Sequence, residues 1–306
     1  MVRESFQCIS AHDEVPLDAL LFLPQEKEMR GIVQIAHGMA EHKERYEGFA
    51  EFLSHNGYAC LIHDHRGHGA SIRTQADLGY FGEGGGAALV EDLQRVWDVA
   101  RTRFSGKKRA LLGHSMGTFV AREYARAHDA EIDTLILSGS PSANPMVGAG
   151  IALADILTLL RGGRGHSKLL DAMTLGAYGK AIKPRRTEYD WLNIDAAEVD
   201  LYIKDPLCGF PFTLNGYKGL FTLLCDTYRP AKDKCKNPRL PILFISGEDD
   251  PCMVSRKGLD DAVESIRRRG YENVSLKIYE GQRHEILLSP AKQTVMEDVL
   301  RFVDGN

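Results

Sequence analysis

Between residues 31 and 138 short apolar runs alternate with longer stretches of helical period, and few folds accept that pattern. The runs 31–36 and 58–62 carry no charged residue at all, and further strand-like runs lie at 108–112 and 132–138. A strand that is apolar on both faces needs cover on both, which parallel strands linked by crossover helices provide. The intervening stretches supply those helices. In 43–56, Tyr46, Phe49, Ala50 and Leu53 share one face, and in 118–128 Phe119, Val120, Tyr124 and Ala127 recur at three- and four-residue steps. A third helix is expected over 88–104. The expected class is α/β, a mostly parallel central sheet with helices on both faces. Residues 5–23 read as a hairpin ahead of it.

The alternation stops at Gly139 and resumes with the apolar run 240–245. The gap is about a hundred residues, too long for a bare loop. It holds helical stretches at 150–160, 167–178, 196–203 and 213–227. The expected organisation is therefore a core of 1–139 and 238–306 with a helical cap inserted at 140–237. A helix over 254–269, a strand over 274–279 and a helix over 290–303 close the chain, the last with Ser289 as N-cap and Pro290 in its first position.

Composition excludes more than it selects. A net charge of −4 gives no reason to expect a nucleic-acid partner. The six cysteines include no Cys-x-x-Cys pair, and Cys8, Cys60 and Cys225 lie among apolar neighbours as small core residues do, which points to a reducing compartment. The first residues lack the apolar run of a signal peptide. No apolar stretch approaches the ~20 residues that cross a bilayer, so a cytoplasmic protein is expected. The glycine run 84–86 lacks the lysine and hydroxyl of a phosphate loop and reads as a flexible turn. His63, His65 and His68, with His37 and His42, approach the spacing of a binuclear zinc site, but Gly67 stands where an aspartate ligand should be. No metal and no cofactor are expected.

The chemistry-bearing residues fall just after the strands. Gly113-His114-Ser115-Met116-Gly117 fits Gly-x-Ser-x-Gly, in which a strand turns sharply into a helix with serine at the apex. Glycine at 113 and 117 removes the β-carbons that such a turn would bring together. A serine hydroxyl needs a base and a group to orient that base. In a parallel sheet both belong at the carboxyl ends of strands. The run 240–245 leads into Gly247-Glu248-Asp249-Asp250, and 274–279 leads into Glu280-Gly281-Gln282-Arg283-His284-Glu285. The chain order is serine, acid near 250, then His284.

Together with His37-Gly38-Met39-Ala40-Glu41-His42, Arg45-Tyr46 and Asp64-His65-Arg66-Gly67-His68-Gly69-Ala70-Ser71, these blocks resemble the α/β-hydrolases of the monoacylglycerol lipase and lysophospholipase-like group, which are grouped with the serine aminopeptidases (S33). Asp205-Pro206-Leu207-Cys208-Gly209 resembles a segment of bacterial members. The resemblance implies the α/β-hydrolase fold and a serine hydrolase acting on apolar acyl esters, with Ser115 as nucleophile and His284 as base. It places the acid three residues after the strand-ending glycine, at Asp250, with Asp249 as the alternative. The oxyanion hole would use the backbone N–H groups of Met39 and Met116. In the cap, Phe210, Phe212, Tyr217, Phe221 and Leu223–Leu224 are expected to wall an acyl pocket. Arg267, Arg268 and Arg269 are expected to be solvated, Arg161 and Arg164 to be solvated or to meet anionic lipid, and the apolar 151–160 stretch to be cap core, pocket wall or a transient membrane contact. Two rivals stand beside this reading. An aminopeptidase would use cap carboxylates Glu188, Asp190, Asp195, Glu198 and Asp200 to hold an amino group, and a non-catalytic receptor of the same fold would use no catalytic group.

Overall fold

The computed structural model describes residues 1–25, 28–230 and 234–306. Eight strands, β1 (Val2–Ile9), β2 (Pro16–Leu23), β3 (Gly31–Ala36), β4 (Tyr58–His63), β5 (Lys108–His114), β6 (Thr134–Ser138), β7 (Ile242–Gly247) and β8 (Val274–Tyr279), form one sheet in the order β1-β2-β4-β3-β5-β6-β7-β8. The hairpin β1–β2 is antiparallel and joins β4 antiparallel, and all pairings from β4 to β8 are parallel. Every residue of β3, β4 and β7 is buried, as strands covered on both faces must be.

The strand period of two sends neighbouring side chains to opposite faces. Leu112 packs toward α1 (Glu47–His55) and α10 (Lys292–Asp304), where Phe49, Leu53, Val295 and Val299 meet it in one cluster. Leu111 packs in the other cluster with Leu89 and Leu93 of α2 (Gly85–Ala100), Val120 of α3 (Met116–His128) and Leu259 of α9 (Arg256–Arg268). Each such fully buried leucine contributes about 1.5–3 kcal/mol.

Between β6 and β7 the described residues contain no strand. They form α4 (Val147–Arg161), α5 (Lys168–Met173), α6 (Leu175–Gly179), α7 (Ala196–Lys204) and α8 (Leu214–Tyr228). Leu214, Tyr217, Leu220 and Phe221 of α8 belong to the same cluster as Leu111, so this segment shares the core of the sheet. Residues 231–233 of the expected 140–237 insertion lie outside the described residues.

Several local expectations need correction. Gly85 and Gly86 are not a flexible turn but the first turn of α2, and a β-carbon at 86 would strike the Gly219 carbonyl of α8. The helix expected over 88–104 starts earlier and ends at Ala100. The expected helix 167–178 is two helices broken at Thr174, whose φ −107° and ψ −103° are not helical. The final helix begins at Lys292, two residues later than expected, and Ser289 Oγ accepts instead from the N–H of Ala291. Cys8 and Cys60 are buried, whereas Cys225 is half-exposed. Arg164 is not simply solvated, because its guanidinium lies over the Tyr80 ring and 2.5 Å from Asp77 Oδ1. Arg269 is buried, donating to the carbonyls of Asp226 and Thr227 at the end of α8.

Candidate active site

The turn from β5 into α3 holds Ser115 at φ +52° and ψ −119°, a conformation a side chain rarely adopts. Surroundings enforce it. A β-carbon at Gly113 would meet the Gly117 carbonyl, and one at Gly117 would meet the carbonyls of Ala36 and His37. The N–H of Ser115 donates to the Ser138 carbonyl at 2.9 Å, and its own carbonyl accepts from Thr118 N and Oγ1. The serine is thereby lifted into a cavity of about 320 Å³, whose wall includes Met39, Phe119, Trp191, Phe221 and His284.

β7 and β8 end beside this turn. Asp250 Oδ2 accepts from His284 Nδ1 at 2.8 Å, while Oδ1 accepts from the N–H of Cys252 at 2.8 Å. A carboxylate only accepts here, so the ring proton sits on Nδ1 and Nε2 is left with a lone pair. Asp249 is exposed and its side chain does not reach His284, so the structure brings Asp250, not Asp249, to the histidine. Burial alone would pull the His284 pKa down, but the Asp250 charge and its hydrogen bond outweigh that and leave it above the ordinary value. Burial likewise pushes Asp250 up, and His284 holds its carboxyl below the usual range. Nε2 lies 4.0 Å from Cys252 Sγ, and no hydrogen bond from Ser115 Oγ to Nε2 is made in this conformation. Trp191 packs on the His284 ring with centroids 5.0 Å apart, and His114 packs 4.7 Å away, its own pKa pushed down to about 4, chiefly by burial.

The loop after β3 faces the serine. Among the described residues, neither the N–H of Met39 nor that of Met116 has a hydrogen-bond acceptor. Glu41 fixes the loop, since its Oε1 accepts from Gly38 N–H at 2.5 Å and from Tyr46 OH at 2.9 Å. Arg45 then bridges Glu41 Oε2 at 2.6 Å and both oxygens of Glu285 at 2.6 and 2.9 Å. Its guanidinium also sits 4.9 Å from the centroid of the Tyr202 ring. One largely buried cation thus ties the loop after β3 to the segment carrying His284. Sequence reasoning singled out Arg45 and Glu285 only as parts of motifs. Nothing in a linear pattern pairs residues 240 positions apart.

The aromatics expected to belong to a cap separate. Phe221 and Leu224 line the cavity. Phe210, Phe212, Tyr217 and Leu223 do not. Phe212 is fully buried against Phe81 and Tyr217, Phe210 packs against Phe212 and His68, and Tyr217 donates to Asp171 Oδ1 at 2.8 Å. These residues fill the contact between α8 and the loop before α2. The cap carboxylates of the aminopeptidase reading are also absent from the cavity wall. Asp190 accepts from the backbone of Arg186 and Thr187, Asp195 caps α7, and Asp200 pairs with Arg186. The two acidic liners, Glu41 and Glu285, are both tied to Arg45.

His37, His63, His65 and His68 pack together at tilted and edge-on angles within the protein, with ring centroids 4.3–5.2 Å apart for His37–His65, His63–His65 and His37–His68. All four are inaccessible to solvent. Among the described residues, three donor atoms converge only at His42–Asp205–Cys208 and at Asp250–Cys252–His284, not at this cluster.

A serine on a strained strand-to-helix turn, followed in chain order by an aspartate and a histidine that bond to each other, is the arrangement of the α/β-hydrolases, and the fold and site place the protein in that class. The family described as serine aminopeptidase, S33, matches residues 27–291, and the chain belongs to it. The chain is 27% identical over 281 residues to a monoacylglycerol lipase of Mycolicibacterium smegmatis, covering 91% of this chain and 89% of that one. It is 24% identical over 306 residues to a probable lysophospholipase L2 of Haemophilus influenzae, covering 97% and 90%. A thermostable carboxyl esterase from Bacillus coagulans, solved with glycerol, superposes with a TM-score of 0.90 at 24% identity over 100% of this chain and 99% of that one. The protein is a hydrolase of this family.

Proposed function

We propose that the protein is a serine carboxylic ester hydrolase that cleaves apolar acyl esters, of the monoacylglycerol or lysophospholipid type, through an acyl-enzyme. The observation that carries this reading is the His284–Asp250 pair facing Ser115 across a largely apolar cavity. Ser115 attacks the ester carbonyl, and His284 Nε2 takes its proton and returns it to the leaving alcohol. The Oγ–Nε2 hydrogen bond that this transfer needs forms with substrate in place. Asp250 holds the ring and supports the imidazolium. The N–H groups of Met39 and Met116, having no other acceptor, receive the oxyanion, each worth about 3–4 kcal/mol in the transition state. Phe119, Phe221 and Leu224 favour an acyl chain over a charged amine.

The reading includes a helical cap at 140–237 over a core of 1–139 and 238–306, supported by the cavity being lined from both parts. It also includes a transient contact of the cap with lipid. Ile156, Leu159 and Leu160 of α4 are 56%, 87% and 75% exposed, an apolar edge that water alone does not favour. Among the described residues no helix is long and apolar enough to cross a membrane. Six unpaired cysteines support a reducing, cytoplasmic setting.

The test is a fluorophosphonate probe with wild type and S115A, beside a panel of p-nitrophenyl esters of graded chain length, a monoacylglycerol, a lysophospholipid and an aminoacyl p-nitroanilide. Ester turnover and probe labelling lost only in S115A are expected. Turnover of the anilide without esters would replace this reading with the peptidase one. No turnover of any ester by labelled protein would remove it.

A further inference from the structure

Outside the Ser115 cavity, one set of side chains gathers three kinds of donor at one point. His42 closes the loop after β3, and Asp205 and Cys208 stand on the turn that comes after α7. One ring nitrogen, one carboxylate oxygen and one sulfur all lie within 4.8 Å of one another. His42 Nε2 is 2.8 Å from Asp205 Oδ2, and His42 Nδ1 is 2.7 Å from Glu44 Oε2. A carboxylate on the far nitrogen fixes the ring and leaves Nε2 as the ligating atom, which is the arrangement found behind metal-bound histidines. Asp205 Oδ1 is already used by the N–H of Leu207 at 2.8 Å, so Oδ2 is the oxygen that remains. The set is approachable: the Asp205 side chain is 31% exposed and Cys208 is half-buried.

We propose that His42, Asp205 and Cys208 bind a borderline divalent cation of the Zn²⁺ class, with water as the fourth ligand. Imidazole, carboxylate and thiolate together with one open position are a zinc donor set. The sulfur disfavours Mg²⁺ and Ca²⁺, which take oxygen ligands. The ion displaces the proton held between Nε2 and Oδ2 and the proton of the thiol, and no electron moves. With bonds of about 2.0–2.3 Å, Nε2 and Oδ2 must separate to about 3.3 Å, roughly half an ångström beyond their present distance. The other converging set, Asp250–Cys252–His284, belongs to the Ser115 site already described, where His284 and Cys252 line the cavity and Asp250 is bonded to His284.

The site touches the machinery through backbone. The N–H of Gly209 donates to the Ala40 carbonyl at 2.9 Å, and Tyr202 OH donates to the same oxygen at 2.9 Å. An ion at Cys208 therefore fastens the turn after α7 to the loop that carries Met39. The proposal does not depend on the esterase reading, because it is read by binding.

The experiment titrates reduced, chelator-treated full-length protein with Co²⁺ and then Zn²⁺. One equivalent of Co²⁺ is expected to give tetrahedral visible bands and a thiolate-to-cobalt charge-transfer band, which Zn²⁺ abolishes while raising the thermal midpoint. C208S, close in size to the native residue, should lose the charge-transfer band and bind Zn²⁺ at least about tenfold more weakly, and D205N should weaken binding similarly. C252S should keep the band. A band that survives C208S and disappears in C252S would move the ion to the Ser115 cavity and overturn the proposal. So would the absence of any binding up to about 0.1 mM Zn²⁺.

Discussion

Acid should unfold this protein through its buried histidines, and His63 is the place to measure it. Neither ring nitrogen of His63 has a partner among the described residues, and burial first, then the charge of Lys43, pushes its pKa down from 6.5 to about 3. The unfolded chain therefore binds the proton that the folded chain refuses. The stability this group contributes is whole above pH 6.5 and is lost as pH falls from there toward 3. At pH 5 the loss is 1.5 pH units at 1.36 kcal/mol each, about 2 kcal/mol. His68 and His114, both depressed to about 4 with burial as the main cause, lose nearly as much at that pH. The three together remove about 6 kcal/mol, a large share of the 5–15 kcal/mol that holds an ordinary domain together. His42 and His284 are shifted upward, so below pH 6.5 they are protonated in both states and do not alter this balance. The perturbation is His63→Leu, which is close in volume and deletes no hydrogen bond. Urea unfolding, followed by fluorescence of Trp97 and Trp191, is to be run at pH 8, 6.5, 6 and 5. The change in packing costs the same at every pH, so the informative quantity is the difference between pH 8 and pH 5. Wild type should lose about 2 kcal/mol more than the variant over that range. Parallel losses in the two proteins would show that His63 takes up its proton when folded, and the reasoning would fail.

Other outcomes concern the site and the cap. Asp250→Asn should lower kcat by about four orders of magnitude while Asp249→Asn leaves it within about twofold, as measured by ester hydrolysis of folded protein. Phe212→Ala should cost about 3–5 kcal/mol in denaturant unfolding with little change of acyl preference, whereas Phe221→Ala should shift the preferred chain length of p-nitrophenyl esters. Glu41→Gln should cut kcat about tenfold at nearly constant KM, because Gly38 keeps an acceptor but Arg45 loses a charge partner. Glutamate at both Leu159 and Leu160 should weaken co-sedimentation with lipid vesicles without changing hydrolysis of a short water-soluble ester, and unchanged sedimentation would remove the lipid contact.

The site and its walls differ in how far sequence reveals them. The turn at Ser115 is legible because its pattern is short: a β-carbon at 113 would meet the Gly117 carbonyl within the turn itself, while glycine at 117 answers to the carbonyls of Ala36 and His37 at the end of β3. An acid near 250 and His284 are legible because parallel strands all point their carboxyl ends the same way, so an apolar run also locates the residues just beyond its end. The choice of Asp250 over Asp249 is implied by the resemblance alone, and the structure pairs Asp250 with His284. The face of α8 is not legible. Tyr217 and Phe221 are one turn apart on the same helix, yet one donates to Asp171 and the other meets the cavity. The difference depends on α2, α4 and the loop at Phe81, none of which is near in sequence. Gly86 against Gly219, and Cys252 beside His284, are contacts of the same kind.

By itself, then, the sequence determined the alternating parallel sheet, the glycine-flanked serine turn and the chain order of serine, acid and histidine. Each of these is written as a pattern of burial or of permitted backbone within one element or its immediate flank. Only the tertiary structure decided that Arg45 joins Glu41 to Glu285, that Phe221 rather than Phe212 faces the cavity, and that His42 meets Asp205 and Cys208. Those are pairings between distant segments. Their energies depend on distance and on exclusion of water, and neither exists until the sheet and the helices of 140–237 have packed together.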